Sequence, residues 1–224
     1  MQSEEASVAQ VVVGRLATTG IIPVVELPAV EDAVPLLEAL LEGGISTAEI
    51  TLRTPAAVEA IALLREAYPA ATIGAGTVRR VEDVPRVVEA GAQFVVSPAV
   101  NLELLDACRV LGVAAIPGTC TPTDVDTAVR AGATVVKFFP AEPMGGIPFL
   151  RALAAPFRDV AFIPTGGINA ANLGDYLRQP QVLACGGSWM VAPVLIRDGG
   201  FGEITTLARE AASIVRETRD AVPA

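Results

Sequence analysis

Any catalysis by this chain has to run without histidine. None occurs in the 224 residues, which removes Ser-His-Asp and Cys-His machinery and every histidine-containing metal site. Lys, Glu, Asp, Tyr, Arg and Cys remain, and one of them stands apart. Lys137 is the only lysine, while fifteen arginines meet every other need for basic charge. It sits in Thr134-Val135-Val136-Lys137-Phe138-Phe139-Pro140, a β-branched and aromatic run that reads as a buried strand. An ammonium in that setting carries a desolvation cost, which favours the neutral, nucleophilic amine. Lys137 is therefore a candidate Schiff-base lysine.

Two further sets of residues could serve such an amine. In Thr47–Arg53, strand alternation puts Glu49, Thr51 and Arg53 on one face and Ala48, Ile50 and Leu52 on the other. A glutamate near the lysine could orient it and shuttle protons, or could simply pair with it as a structural salt bridge. The third set is glycine-rich and falls at predicted strand ends: Gly74-Ala75-Gly76-Thr77, Pro117-Gly118-Thr119, Thr165-Gly166-Gly167-Ile168 and Gly186-Gly187-Ser188. Glycines there let backbone N–H groups approach an anion, although tight turns alone could account for them. Neither GxxxxGK[ST] nor a complete GxGxxG occurs.

These residues need elements to hold them. A leading helix is expected over Ser7–Thr18 from Val8, Val11, Val12 and Leu16. Strands follow at 20–25, 47–53, 71–76, 93–97, 113–117, 134–139, 160–164 and 182–185, each succeeded by a helical stretch. Eight βα units predict a single (β/α)8 TIM-barrel domain over residues 1–224, with an additional N-terminal helix; a doubly wound open sheet is the rival. Both faces of an all-parallel sheet are normally covered. Parity then turns Glu49 and Arg53 inward from the second strand, and Val135, Lys137 and Phe139 inward from the sixth. Lys137 and Glu49 are thus expected to share one cavity. The glycine pairs at 166–167 and 186–187 fall after the seventh and eighth strands, where barrels commonly hold phosphate.

Composition narrows the partners. Net charge is −9 with no basic cluster beyond Arg79-Arg80, which argues against nucleic acid. No apolar run approaches the roughly 18 residues that a membrane span needs. The acidic start, Met1-Gln2-Ser3-Glu4-Glu5, lacks the layout of a signal peptide, so a soluble, cytoplasmic protein is expected. Cys108, Cys120 and Cys185 form no CxxC pair and read as free thiols rather than a metal site.

With these residues placed, the chain resembles the 2-keto-3-deoxy-6-phosphogluconate (KDPG) and 4-hydroxy-2-oxoglutarate (KHG) aldolase family of class I barrel enzymes. The resemblance rests on Glu49-Ile-Thr-Leu-Arg53-Thr54, Gly74-Ala-Gly-Thr77, Phe94-Val-Val-Ser-Pro98, Val136-Lys137-Phe-Phe-Pro-Ala141, Pro164-Thr-Gly-Gly-Ile168 and Gly186-Gly-Ser-Trp189. It implies an imine between Lys137 and the ketone of a 2-oxo acid, with Glu49 as proton shuttle. Arg53 and Thr77 would hold the pyruvate carboxylate, and Thr165 would touch the sugar-derived hydroxyls. Gly166, Gly167, Gly187 and Ser188 would hold the terminal phosphate, and Pro98 and Phe138 would wall the pocket. It further implies a homotrimer that needs no metal or other cofactor and works on a small 2-oxo acid and a phosphorylated aldehyde. One position departs: Val25-Glu26-Leu27 stands where some members carry arginine. The galactonate epimer and 4-hydroxy-2-oxoglutarate stay open as substrates. An isomerase or synthase using Glu49 without an imine, and a non-catalytic phosphate-ligand sensor, are the readings from other classes.

Overall fold

In the computed structural model, residues 7–221 are described; the acidic stretch Met1–Glu5 lies outside them. The strands are all parallel and run β1 Ile21–Val25, β2 Thr47–Thr51, β3 Thr72–Gly76, β4 Phe94–Val96, β5 Ala114–Ile116, β6 Gly118–Thr119, β7 Val135–Phe138, β8 Ala161–Pro164 and β9 Cys185–Gly187. β5 and β6 are two pieces of one barrel strand, separated by Pro117. Six strands pair in the order β5-β4-β3-β2-β1-β9 and three in the order β6-β7-β8. Parallel bridges Phe162↔Val182 and Thr165↔Gly186 join β8 to the β9 side, and Lys137 N–H donates to Pro117 O at 2.8 Å on the other. The ring therefore closes, as eight βα units predict, and the open-sheet alternative falls away.

Strand parity sorts the core into two layers. Ile21, Val25, Ala48, Ile50, Val136 and Phe138 pack outward with the helix residues. Ile22, Phe94, Val96, Ala114, Ile116, Val135, Ile163 and Ala184 form a smaller cluster in the lumen. The leading helix α1, Val8–Thr19, closes the floor of that lumen by adding Val12 and Leu16. Ser7 starts α1 with a capping box to Gln10, and Gly20 (φ 70) ends it. Of the four apolar residues that predict α1, only Val12 and Leu16 are buried; Val8 and Val11 stay exposed, at 72% and 45%. A helix lying across a narrow opening can bury only one stripe.

The last strand differs from its expected position. Residues 182–185 carry the apolar pattern, yet the strand is Cys185–Gly187, paired as Ile21↔Cys185, Ile22↔Gly186 and Pro23↔Gly187. Its register comes from β1, and two glycines that look like a loop locally are strand residues here.

Candidate active site

Lys137 and Glu49 come from opposite staves of the barrel. β2 lies between β1 and β3, with Glu49 in register with Val24 and Gly74. β7 lies between β6 and β8, with Lys137 in register with Gly118 and Ile163. Both side chains turn into the lumen directly above the apolar floor, and Lys137 Nζ lies 3.4 Å from Glu49 Oε1. Both are buried, at 7% and 3% exposure. Two buried charges of opposite sign that hydrogen-bond each other are tolerable where one alone would be costly. Gly76, at the end of the neighbouring strand, makes room for the carboxylate, because a Cβ there would fall 2.2 Å from Glu49 Oε1.

Above this pair the barrel mouth is lined from several strand ends. Phe139 lies two residues beyond Lys137, and Nζ sits 5.3 Å from its ring centroid, within cation–π reach. Thr165 is buried after β8, with its N–H donating to Phe138 O at 2.9 Å. Gly166 and Gly167 follow with φ of 97 and 86, a left-handed conformation that favours glycine. The N–H groups of Gly167 and Ser188 have no hydrogen-bond acceptor among the described residues, whereas that of Gly166 faces Gly186 in the bridge between the two turns. Gly186 is pressed against Thr165, whose Oγ1 would lie 2.3 Å from a Cβ on that glycine. Gly187 ends β9 rather than starting a loop, and Ser188 opens the short helical turn Trp189–Val191. The turns after β8 and β9 thus sit together at the mouth, as the bridge Thr165↔Gly186 requires.

On the other side of the mouth, β2 ends at Thr51, whose Oγ1 donates to Val25 O at 2.7 Å. Arg53 lies beyond the strand in the following turn, half exposed, and donates to Glu26 Oε2 at 3.4 Å. Thr77 adopts φ 56, a strained conformation for a β-branched residue and one that is over-represented at functional sites. Pro98 is exposed just after β4, where its carbonyl packs against Gly118.

Phe138 is a correction. As a pocket wall it would have to face the lumen, but Lys137 already does, and adjacent strand residues alternate. Phe138 is fully buried in the outer layer and stacks on Phe149 of the helix Gly146–Ala154, with centroids 5.9 Å apart. Phe139 occupies the place beside the amine instead. The parity that turns Lys137 inward carries enough signal to make that assignment.

No group of three or more His, Cys, Asp or Glu side chains is gathered among the described residues in the way a metal ion requires. None of the described helices is long and apolar enough to cross a membrane.

A closed (β/α)8 barrel with a buried lysine–glutamate pair under a mouth of free backbone donors defines a lysine-dependent barrel enzyme of the imine-forming type. Comparison with known proteins narrows that class: the family model described as KDPG and KHG aldolase matches residues 12–207, and the chain belongs to this family. A 2-dehydro-3-deoxy-phosphogluconate aldolase of Treponema pallidum is 49% identical over 195 residues, which are 87% of this chain and 93% of that protein. A KHG/KDPG aldolase of Escherichia coli is 44% identical over 88% of this chain and 92% of its own length. Among solved structures, KDPG aldolase from Legionella pneumophila, with pyruvate captured as a covalent carbinolamine, superposes with a TM-score of 0.86. It is 41% identical, over 89% of this chain and 97% of that one.

Proposed function

We propose that the protein is a class I aldolase that cleaves 2-dehydro-3-deoxy-6-phosphogluconate reversibly into pyruvate and glyceraldehyde 3-phosphate. The observation that carries this reading is the Lys137–Glu49 pair, a single amine held against a carboxylate in the buried lumen of the barrel. The Lys137 amine adds to the C2 carbonyl, and Glu49 protonates the departing hydroxyl so that the carbinolamine loses water. The protonated imine then takes up the electron pair of the C3–C4 bond while Glu49 accepts the C4 hydroxyl proton. Glyceraldehyde 3-phosphate leaves, and an enamine of pyruvate stays on Lys137. Glu49 returns the proton to C3, and water hydrolyses the imine to free the amine and pyruvate.

The remaining roles are those that the family resemblance implies, with Phe139 in the place of Phe138. Arg53 and Thr77 hold the 2-oxo acid carboxylate, Arg53 by charge-assisted hydrogen bonds. Thr165 meets the hydroxyls between the two ends, and Gly167 and Ser188 hold the phosphate through main-chain N–H groups, with Gly166 and Gly187, whose own N–H groups face neighbouring strands, shaping the turns around it. Pro98 and Phe139 border the cavity. The whole chain acts as one domain, in the cytoplasm and as a homotrimer, in keeping with the family resemblance. Cleavage of 4-hydroxy-2-oxoglutarate and of the galactonate epimer are the nearest alternative activities.

Borohydride reduction in the presence of pyruvate, followed by peptide mass spectrometry, tests the mechanism. A reduced pyruvyl adduct on Lys137 is expected. An active, folded protein that gives no adduct would have to work as a non-imine isomerase or synthase. Lys137→Arg should keep the fold and abolish both adduct and cleavage.

A further inference from the structure

Two loops meet behind the glycine turn that accepts the phosphate in this reading. The first, Pro140–Gly145, continues from the strand of Lys137; the second, Thr165–Asn169, carries Gly166 and Gly167 into the helix Ala170–Leu177. They are joined main chain to main chain. Ala141 N–H donates to Thr165 O at 2.8 Å and Glu142 N–H to Gly166 O at 3.0 Å. The Glu142 side chain then fills the space beside the second loop, so that a Cβ on Gly167 would lie 2.5 Å from Glu142 Cβ. From the helix Ala170–Leu177, the buried Tyr176 donates its hydroxyl to Glu142 Oε1 at 2.5 Å. Gly146 closes the remaining gap, since a Cβ there would meet both Glu142 Oε1 and Tyr176 Oη at 3.1 and 3.3 Å. Burial first, and the Glu142 carboxylate second, hold the phenol in its protonated, donating form well above the usual tyrosine range.

A carboxylate beside a phosphate-accepting turn is costly unless something fixes where it sits. The phenol does so, and it links the helix opened by the cradle to the loop that continues from the imine strand. The geometry points to Tyr176 and Glu142 as positioning residues. Together they form a clamp that sets the Gly166–Gly167 turn at a fixed distance from Lys137, and with it the preference for a donor phosphorylated at its far end. This rests on the aldolase reading given above. The clamp touches no reacting atom, so its loss should move phosphate recognition and leave imine formation alone.

Tyr176→Phe separates these effects. It is expected to raise KM for 2-dehydro-3-deoxy-6-phosphogluconate about tenfold while keeping kcat, and the pyruvate concentration that half-saturates borohydride trapping, within about twofold. Glu142→Ala should reproduce the loss even if Tyr176→Phe fails to fold, and Glu142→Gln, which keeps an acceptor for the phenol, should show little of it. Lower thermal stability with an unchanged KM in Tyr176→Phe and Glu142→Ala would overturn the clamp, as would equal shifts in KM and in pyruvate trapping. A wild-type protein that traps no pyruvate would instead overturn the aldolase reading itself.

Discussion

Lys137 Nζ and Glu49 Oε1 face each other at 3.4 Å across the lumen, on strands that are opposite in the ring. A pair spanning the barrel in this way is set by closure of the whole ring, not by either strand. Replacing Glu49 by Gln keeps size and a hydrogen-bond acceptor but removes the group that takes and returns protons in the proposed mechanism. Turnover of Glu49→Gln should fall by about 10²–10⁴, the usual worth of a positioned acid–base group. Circular dichroism should match wild type, and pyruvate trapping should be slowed. Near-normal kcat would mean that the carboxylate serves only as the counter-ion of Lys137.

Glu26 extends the lumenal face of β1 into the mouth, since Ile22 lies in the lumen cluster and Val24 is in register with Glu49. It meets Arg53 there, with both side chains about half exposed, at 49% for Arg53 and 44% for Glu26. A substrate carboxylate held by Arg53 must share the guanidinium with Glu26 or displace it. Glu26→Gln should therefore lower the pyruvate concentration for half-maximal trapping by about two- to fivefold, in line with an exposed ion pair. The gain should shrink in high salt. Weaker pyruvate binding would show instead that Glu26 orients Arg53.

The barrel and the Lys137–Glu49 pair were legible because both rest on local alternation within strands that are buried on two sides. The same alternation, carried one residue further, places Phe138 outside and Phe139 inside. The motif resemblance alone does not distinguish the two. Other features had no local signal. Cys185–Gly187 becomes a strand only because β1 is beside it. Arg53 with Glu26, and Tyr176 with Glu142, pair side chains from different βα units, where the order of residues says nothing about distance. The helix over 8–19 was predictable, but which of its apolar residues would be covered depends on the width of the floor it closes.

That floor yields a stability prediction. Leu16 is fully buried in the lumen cluster, while Val8 on the same helix is 72% exposed. Leu16→Ala removes a side chain from a site enclosed by strands that cannot collapse inward without bending the ring. The expected loss is about 2–5 kcal/mol, read from urea denaturation. Val8→Ser should stay within about 0.5 kcal/mol. Equal effects at the two positions would mean that α1 does not seat in the floor as described.

The thiols give a prediction in pH. Burial pushes Cys108 up to about 12 and Cys185 higher still, with Arg219 opposing the latter only in part. Cys120 is raised by burial and then by the adjacent Asp124 carboxylate, but it is only half-buried. In the folded protein near pH 8, a thiol reagent should modify Cys120 alone, and Asp124→Asn should speed that reaction, because the thiolate is the reactive form. Stability follows from the same shifts. Above about pH 8.5 the unfolded chain releases thiol protons that the folded chain retains, so the unfolded state binds fewer protons and stability falls as pH rises. For Cys108 the decline runs from there to about 12. Cys108→Ala removes that contribution, and its denaturation midpoint should drop less steeply than wild type between about pH 8 and about pH 10.5. Parallel slopes would show that Cys108 does not hold its proton in the fold.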